Sequence, residues 1–255
     1  MRPPAIARFI GDAELCRDQI GESACAVHSF WRGKEQFFLK ASPAVYAPTT
    51  YSVLREAAVL DWVSGWLNVP ELVLTACSDA YEYMITRAVP GVPLSTLTAA
   101  RRPVLELFHE ALRQLQAVPA AGCPFDASSG GRLRELDYLL DKGLAEQDYD
   151  LSPWPDLATP QELVARLHAT VPQEELVFSH GDLGDSNLFV SQSGQLHFID
   201  FGRGGLADRW MDISFAYRAL RDDVSDTAAA QFLLQLGLPD APAKREFFEQ
   251  LDELF

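Results

Sequence analysis

Cysteines are few in this chain, and their spacing excludes two common roles. None of them forms a Cys-x-x-Cys pair, which argues against a structural zinc site or a disulfide framework. Reduced thiols are the default in the cytoplasm. No apolar run approaches membrane-spanning length, and the first residues lack the apolar segment of a secretory signal, so we expect a cytoplasmic protein. The four cysteines are Cys16, Cys25, Cys77 and Cys123.

Basic residues are also scarce. The chain has 21 Lys and Arg against 36 Asp and Glu, so its formal net charge is −15. Nucleic acid binding calls for a basic surface, and this composition disfavours it. A strongly acidic protein attracts cationic partners over long distances, although acidity also aids solubility alone. Composition does not separate these two explanations.

The part of the sequence that is most informative about function is a series of short apolar runs separated by polar loops. Leu176–Phe178 predicts a buried strand. A polar loop over residues 180–186 follows it. Leu188–Val190 and Leu196–Ile199 are two further short runs joined by a serine–glycine turn, which predicts a β-hairpin. Polar side chains flanking these strands are therefore expected at loop positions, where catalytic groups are often found.

Three of those polar residues suit phosphoryl transfer. Asp182 can orient an attacking hydroxyl, while Asn187 and Asp200 offer the hard oxygen ligands that magnesium prefers. Each of them alone is an ordinary turn residue. The ordered set, in which Asp200 begins an Asp-Phe-Gly sequence, matches the kinase catalytic loop and metal-binding motif, with Gly181 in place of the usual arginine.

The N-terminal part supplies a candidate charge pair. Lys40 ends an apolar strand, and Glu56 lies in a predicted helix over Tyr51–Trp66. If they pair, the lysine ammonium is aimed at nucleotide phosphates. Without the downstream loop, both would be interpreted as surface charges, since a lysine at a strand end readily reaches solvent.

The same patterns predict an α+β, two-lobe, protein-kinase-like fold. Residues 1–88 contain a short helix over 6–20 and then a mostly antiparallel sheet with one main helix, which forms a nucleotide-binding lobe. Val89-Pro90-Gly91-Val92-Pro93 breaks the pattern and predicts a hinge at 89–93. Residues 94–255 have mainly helical periodicity and form the predicted catalytic and substrate-binding lobe.

At this point the sequence resembles a known family. His180-Gly181-Asp182-Leu183-Gly184-Asp185-Ser186-Asn187, together with Phe198-Ile199-Asp200-Phe201-Gly202-Arg203, is similar to the aminoglycoside 3'-phosphotransferases of the kanamycin and neomycin kinase type. The resemblance extends from the loop around Ser23 to the C-terminal sequence Leu251-Asp252-Glu253-Leu254-Phe255. It implies an ATP- and magnesium-dependent kinase that phosphorylates the 3'-hydroxyl of an aminoglycoside and so confers antibiotic resistance.

The resemblance also implies individual roles on the nucleotide side. Asp182 becomes the catalytic aspartate, and Asn187 and Asp200 become the metal ligands. The residues implied to contact the nucleotide are Ser23 in the loop above the phosphates, Phe38 stacked on adenine, and Lys40 held by Glu56.

On the substrate side the resemblance implies an acidic pocket. Carboxylates attract polycationic aminoglycosides through charge-assisted hydrogen bonds, although each acidic residue taken alone is equally consistent with a solvated helix end. Asp150 stands where a glutamate is common in the family. The positions that match the pocket are Asp150, Asp185, Arg203, Asp222, Asp223, Asp252, Glu253 and Phe255, the last through its carboxylate.

Two alternatives remain open. A related small-molecule kinase that acts on a macrolide or on choline would have less need of the C-terminal acidic cluster, because its substrate carries fewer ammonium groups. A pseudokinase would retain the fold and bind nucleotide without catalysis, although the complete set of five residues argues against it. The set consists of Lys40, Glu56, Asp182, Asn187 and Asp200.

Overall fold

The computed structural model describes residues 2–18, 24–100, 104–145 and 149–255. The chain consists of two compact units. The first unit consists of Met1–Thr96 and Ser186–Gly204, and the second consists of Leu97–Asp185 and Gly205–Phe255. Each unit is therefore assembled from two separate segments of the chain. Within the described ranges, no helix is both long and apolar enough to cross a membrane.

The first unit is built on a five-stranded antiparallel sheet with the strand order β1-β2-β3-β5-β4. The helix predicted over residues 6–20 is wrong for residues 11–18, because Gly11 adopts φ 61° and ends it at Ile10, and a short strand follows that pairs with β2. Residues 19 and 20 of that prediction lie outside the described residues. The elements up to the end of this sheet are α1 (Pro4–Ile10), β1 (Cys16–Arg17), β2 (Ala26–Arg32), β3 (Glu35–Pro43), α2 (Val53–Val63), β4 (Leu72–Cys77) and β5 (Tyr81–Arg87).

Strand β3 has one face in the hydrophobic core, and its other face bears two of the predicted nucleotide-binding residues. Phe37 and Leu39 are buried, and the Phe37 ring stacks on Phe30 of β2 with centroids 5.7 Å apart. Successive side chains of a strand point to opposite faces, so Phe38 and Lys40 share the other face. The sequence alternation of β3 therefore places the predicted adenine-stacking ring and the predicted phosphate-binding lysine on one side of the sheet.

The rest of the chain is mainly helical, and the predicted α+β class with an antiparallel N-terminal sheet is confirmed. The described elements after β5, in chain order, are β6 (Val92–Pro93), α3 (Leu94–Ala99), α4 (Leu105–Ala117), α5 (Ser129–Lys142), α6 (Pro160–Ala169), β7 (Leu176–Ser179), β8 (Leu188–Val190), β9 (Leu196–Phe198), β10 (Gly205–Asp208), α7 (Trp210–Asp223), α8 (Asp226–Leu236) and α9 (Pro242–Asp252).

The predicted hairpin is present, and it belongs to the first unit. Strands β8 and β9 pair antiparallel, and β6 joins them through β8. Asn68 fixes the hairpin further. Its side-chain amide donates to Leu196 O at 3.0 Å, and its backbone carbonyl accepts from Phe198 N at 2.9 Å. These hydrogen bonds join the hairpin to the N-terminal segment of the first unit.

Helix α7 packs against three other helices of the second unit. This helix contacts α4, α8 and α9 and buries Met211, Ile213 and Phe215. Strand β7, which precedes the predicted catalytic loop, pairs with β10, a strand absent from the sequence-based prediction. At the chain end, Leu251 and Leu254 are buried. The C-terminus is therefore held in the hydrophobic core of this unit.

Candidate active site

Lys40 and Glu56 form the predicted pair in the first unit. The lysine Nζ lies 2.8 Å from Oε1 and 2.9 Å from Oε2 of the glutamate. Strand β3 supplies the lysine and α2 supplies the glutamate, and Ser52 caps α2 by accepting a hydrogen bond from Arg55 N. The glutamate is 5% exposed. A buried carboxylate of this kind holds the ammonium in one direction, which a surface charge pair does not do.

Asp200 reaches the same lysine. Its Oδ1 lies 2.9 Å from Lys40 Nζ. Among the described residues, Asp200 is the one non-glycine residue with positive φ, at 63°. Such a backbone conformation in a residue other than glycine costs free energy and is concentrated at functional sites. The left-handed turn sends the chain away from β9 directly after Asp200.

The segment after Asp200 is fastened to α2. Arg55 Nη1 donates to Gly202 O, and its Nη2 donates to Gly204 O at 2.9 Å. A Cβ at Gly202 would lie 2.8 Å from the carbonyl oxygen of Thr50, so a side chain there would require the backbone to shift. The glycine of the Asp-Phe-Gly sequence is thus required by close backbone packing.

The neighbouring charges change the pKa values of Lys40 and Glu56. Burial alone would lower the pKa of Lys40, but the carboxylates of Asp200 and Glu56 outweigh burial and raise it, so the ammonium stays protonated. Burial raises the pKa of Glu56 above its ordinary value, and Lys40 opposes that change. With Lys40 protonated at hydrogen-bond distance, we treat Glu56 as a carboxylate paired to the ammonium.

Asn187 and Asp200 are brought to the same end of the hairpin. The backbone N–H of Ile199 donates to Asn187 O at 3.0 Å, one step beyond the last paired residues of β8 and β9. Asp200 is the next residue along, and its side chain is 49% exposed. Amide and carboxylate oxygens are hard donors of the kind that magnesium prefers, and magnesium keeps several waters and needs few protein ligands.

The loop that carries Asp182 is fixed by a residue that the sequence analysis overlooked. Asp212 of α7 accepts hydrogen bonds from His180 N at 2.8 Å and from Gly181 N at 3.0 Å. Asp212 is 3% exposed, and burial raises its pKa while His180 and the two backbone donors oppose this rise. A charged residue within an otherwise apolar stretch of α7 was the available signal, because charges are seldom buried without partners.

Gly181 explains the departure from the usual kinase sequence at this loop. It adopts φ 80°, in the left-handed region that glycine occupies without a Cβ penalty. An arginine there would be strained. Together with the two hydrogen bonds to Asp212, this turn determines the backbone path that leads into Asp182.

A buried carboxylate stabilises the pair of strands β7 and β10. Asp208, at the end of β10, is fully buried and accepts from Glu175 N and Trp210 N, both at 2.8 Å. Lys244 of α9 donates to it at 2.6 Å. One carboxylate therefore ties the start of β7, the start of α7 and helix α9 together.

Several predicted substrate-binding carboxylates are in contact around the C-terminus of the second unit. Glu253 accepts a hydrogen bond from the backbone N–H of Asp150. Arg218 of α7 donates to Asp252 Oδ2 at 2.6 Å. Burial raises the pKa of Glu253, to which the charges of Asp150 and Asp252 also contribute. The structure therefore brings Asp150, Asp252 and Glu253 into one acidic group.

Asp222 belongs to a second charged group at the end of α7. Arg221 Nε donates to Asp222 Oδ1 at 2.8 Å, and Arg221 Nη1 lies 3.1 Å from Glu249 Oε2. Glu249 had no part in the sequence-based prediction. The neighbouring Asp223 is exposed, as is Asp222.

The remaining predicted residues are placed as follows. Ser23 lies outside the described residues. Phe38 is half-buried on β3. Asp185 is the last residue of its segment of the second unit, whereas Arg203 belongs to the first unit. Among the residues that the structure describes, no cluster of three or more His, Cys, Asp or Glu residues is arranged to hold a metal ion.

An antiparallel sheet with a buried lysine–glutamate pair, followed by an Asp-containing loop and an Asp-Phe-Gly turn, defines a kinase-like phosphotransferase. A family model described as the phosphotransferase enzyme family matches residues 26–248. An aminoglycoside 3'-phosphotransferase of Acinetobacter baumannii is 42% identical over 99% of this chain and 98% of its own length. The corresponding Enterococcus faecalis enzyme is 34% identical over 99% and 97%. The chain therefore belongs to the aminoglycoside 3'-phosphotransferases within this enzyme family.

A solved structure agrees with this assignment. The crystal structure of an aminoglycoside 3'-phosphotransferase of type VIII superposes with a TM-score of 0.83. It is 25% identical and covers 98% of this chain and 97% of its own. The resemblance found in the sequence, the kinase-like fold and the phosphotransferase class are thus confirmed.

Proposed function

We propose that this protein transfers the γ-phosphoryl group of ATP to the 3'-hydroxyl of an aminoglycoside and thereby inactivates the antibiotic. The observation that carries the proposal is the position of Lys40 Nζ, within 2.9 Å of both the Glu56 and the Asp200 carboxylates. This arrangement supplies the two features that phosphoryl transfer needs, a directed cation for the phosphates and a carboxylate able to hold a metal ion. The substrate assignment is supported by relatives that are named aminoglycoside 3'-phosphotransferases.

On the nucleotide side, Lys40 binds phosphate oxygens while Glu56 keeps it directed. Phe38 lies on the same face of β3 and stacks on the adenine, and Ser23 lies over the phosphates. In this proposal residues 1–88 form the nucleotide-binding lobe, 89–93 the hinge, and 94–255 the catalytic and substrate-binding lobe. Because ATP is a cytoplasmic cofactor, we place the reaction in the cytoplasm.

On the reaction side, Asp182 accepts the hydrogen bond of the 3'-hydroxyl and orients its oxygen toward the phosphorus. Asn187 and Asp200 would hold Mg²⁺, which neutralises charge on the phosphates when bound. Asp212 keeps the loop in place through the backbone of His180 and Gly181. Most of the catalytic effect then comes from positioning and electrostatics, because phosphoryl transfer requires little covalent chemistry from the protein.

The substrate is a polycation, and the second unit offers carboxylates for it. Asp150, Asp252 and Glu253 form the acidic group at the C-terminus. Charge-assisted hydrogen bonds from ammonium groups to these carboxylates would orient the sugar rings. The net charge of −15 also favours a cationic substrate at long range. The further residues proposed for this pocket are Asp185, Arg203, Asp222, Asp223 and the carboxylate of Phe255.

The test is to incubate the protein with kanamycin, ATP and Mg²⁺ and to follow ADP release, with a panel of 4,5- and 4,6-linked aminoglycosides in parallel. We expect aminoglycoside-dependent release, and NMR of the product should show phosphate on the 3'-oxygen. Absence of release with every member of the panel would refute the proposal. Release with choline or a macrolide alone would identify a different small-molecule kinase.

Asp182→Ala separates catalysis from binding. We expect turnover to be lost while ATP binding, measured by calorimetry, persists, because Asp182 acts on the hydroxyl and not on the nucleotide. Asp185→Ala does not serve as a control, since Asp185 is itself a proposed substrate ligand. Glu106→Ala, in the first turn of α4, is a matched carboxylate change that should leave turnover intact. Undiminished turnover in Asp182→Ala would remove that residue from its role.

A further inference from the structure

A buried arginine lies beneath the C-terminal residue and has no part in the proposed reaction. Arg132 is in the first turns of α5 and is 4% exposed. Its Nη1 lies 3.0 Å from Oε2 of Glu135, whose side chain is 8% exposed. Burial of a charge is costly unless the charge is paired and hydrogen-bonded. This buried pair therefore calls for an explanation beyond surface charge.

The guanidinium of Arg132 faces the ring of Phe255. Its Cζ lies 3.7 Å from the ring centroid, which is well inside the distance at which a cation and an aromatic face attract each other. The guanidinium is planar and stacks on a ring, whereas a lysine ammonium has no flat face to do so. Arg132 Nη1 also donates to Glu135, and this second contact restrains the guanidinium that faces the ring.

The main chain of Phe255 is held as well as its ring. Its backbone N–H donates to Asp252 O at 3.0 Å, and the preceding Leu254 is 1% exposed. The backbone of Phe255 is thus held by a hydrogen bond to a residue three positions earlier in the chain. The contact with Arg132 adds a second point of attachment, at the side chain, which limits where the terminal carboxylate can point.

We propose that Arg132 is a positioning residue for substrate binding. By holding the Phe255 ring, while its Nη1 is paired with Glu135, Arg132 keeps the carboxylate of Phe255 directed at an ammonium group of the bound polycation. This inference rests on the proposed function, because it takes an aminoglycoside as the substrate. It concerns affinity for that substrate and neither the nucleotide nor the transfer step.

The test compares steady-state constants of Arg132→Lys, Phe255→Leu and the double variant. Arg132→Lys keeps the charge and removes the planar stack, while Phe255→Leu keeps the carboxylate and removes the ring. We expect each single change to raise KM for kanamycin about tenfold and to leave KM for ATP and kcat within about twofold. Because both changes break one contact, the double variant should also show about a tenfold rise rather than the product of the two.

Arg134→Lys is the matched control, because Arg134 is on the same helix with its side chain 70% exposed and pairs with Asp126. It should leave all constants unchanged. If thermal unfolding shows that Arg132→Lys does not fold, the KM for kanamycin of Phe255→Leu alone tests the inference. An unchanged kanamycin KM in a folded variant, or a double variant with the product of the single effects, overturns the inference. If the unaltered protein turns over no aminoglycoside, the proposed function fails instead.

Discussion

Lys40 Nζ lies 2.9 Å from Asp200 Oδ1, although the two residues are 160 positions apart in the chain. Both residues belong to the first unit, which combines Met1–Thr96 with Ser186–Gly204, and the hairpin β8-β9 lies in a sheet of its own with β6. In the proposed reaction Asp200 binds the metal ion and Lys40 binds phosphate, so this ion pair links the two binding functions directly. Changing either residue should therefore affect nucleotide binding more than substrate binding.

Lys40→Met tests that relationship. Removing the ammonium leaves Glu56 buried and without its cation, which should lower the free energy of unfolding by about 3 kcal/mol. We also expect KM for ATP to rise by about tenfold or more, with little change in KM for kanamycin. Lys34→Met, at an exposed position in the turn between β2 and β3, is the matched control. Equal changes in both KM values would show that Lys40 has no specific part in nucleotide binding.

Asp212→Asn tests the support of the catalytic loop. The two carboxylate oxygens of Asp212 accept from two adjacent backbone N–H groups, and an asparagine offers one acceptor oxygen in the same space. One N–H then faces a donor, so the loop shifts and Asp182 moves with it. We expect kcat to fall about tenfold to a hundredfold, with KM for ATP unchanged. Wild-type kcat in a folded Asp212→Asn protein would contradict this account.

Local sequence patterns predicted much of the fold. The apolar run that ends at Lys40 and the helical spacing around Glu56 predicted the elements that bring Lys40 and Glu56 together. The turn between β8 and β9 predicted the hairpin that carries Asn187 and Asp200. These features depend on residues close in sequence, where periodicity and turn chemistry are informative.

Features that depend on distant contacts were not predicted. Strand β10 pairs with β7, and Asp212 reaches the loop that carries Asp182 from a position 31 residues after Gly181. The helix predicted over residues 6–20 stops at Ile10, where Gly11 adopts φ 61°, and the pairing of β1 with β2 then makes Cys16 and Arg17 extended. Neither the partner of a strand nor the target of a buried carboxylate is encoded by local spacing.

Asn187→Ala tests the proposed metal site. The hydrogen bond from Ile199 N to Asn187 O uses the backbone, so the substitution removes the amide oxygen while retaining the hairpin. We expect the Mg²⁺ concentration for half-maximal ADP release to rise about tenfold, with activity recovered at high Mg²⁺. Gln195→Ala, on the exposed turn of the same hairpin, should not change it. An unaltered Mg²⁺ requirement would show that Asn187 is not a ligand.

The pH dependence of substrate binding tests Glu253. Burial and the nearby charges of Asp150 and Asp252 raise the pKa of Glu253 above its ordinary value of 4.5. Only the ionised carboxylate attracts an ammonium group, so kcat/KM for kanamycin should increase as the pH rises from about 4.5 through the raised pKa. In Glu253→Gln this part of the pH profile should be lost, because the amide does not titrate.

Folding stability should respond to the same proton in the opposite direction. A carboxyl group whose folded-state pKa is raised holds its proton more tightly in the folded protein than in the unfolded chain. Its contribution to stability is therefore fully present below 4.5, its ordinary pKa, and is lost as the pH rises through the folded-state pKa. Thermal unfolding of the unaltered protein and of Glu253→Gln, measured across this range, should differ in slope with that sign. Parallel unfolding curves combined with an unchanged kcat/KM profile would show that Glu253 has its ordinary pKa and does not bind the substrate.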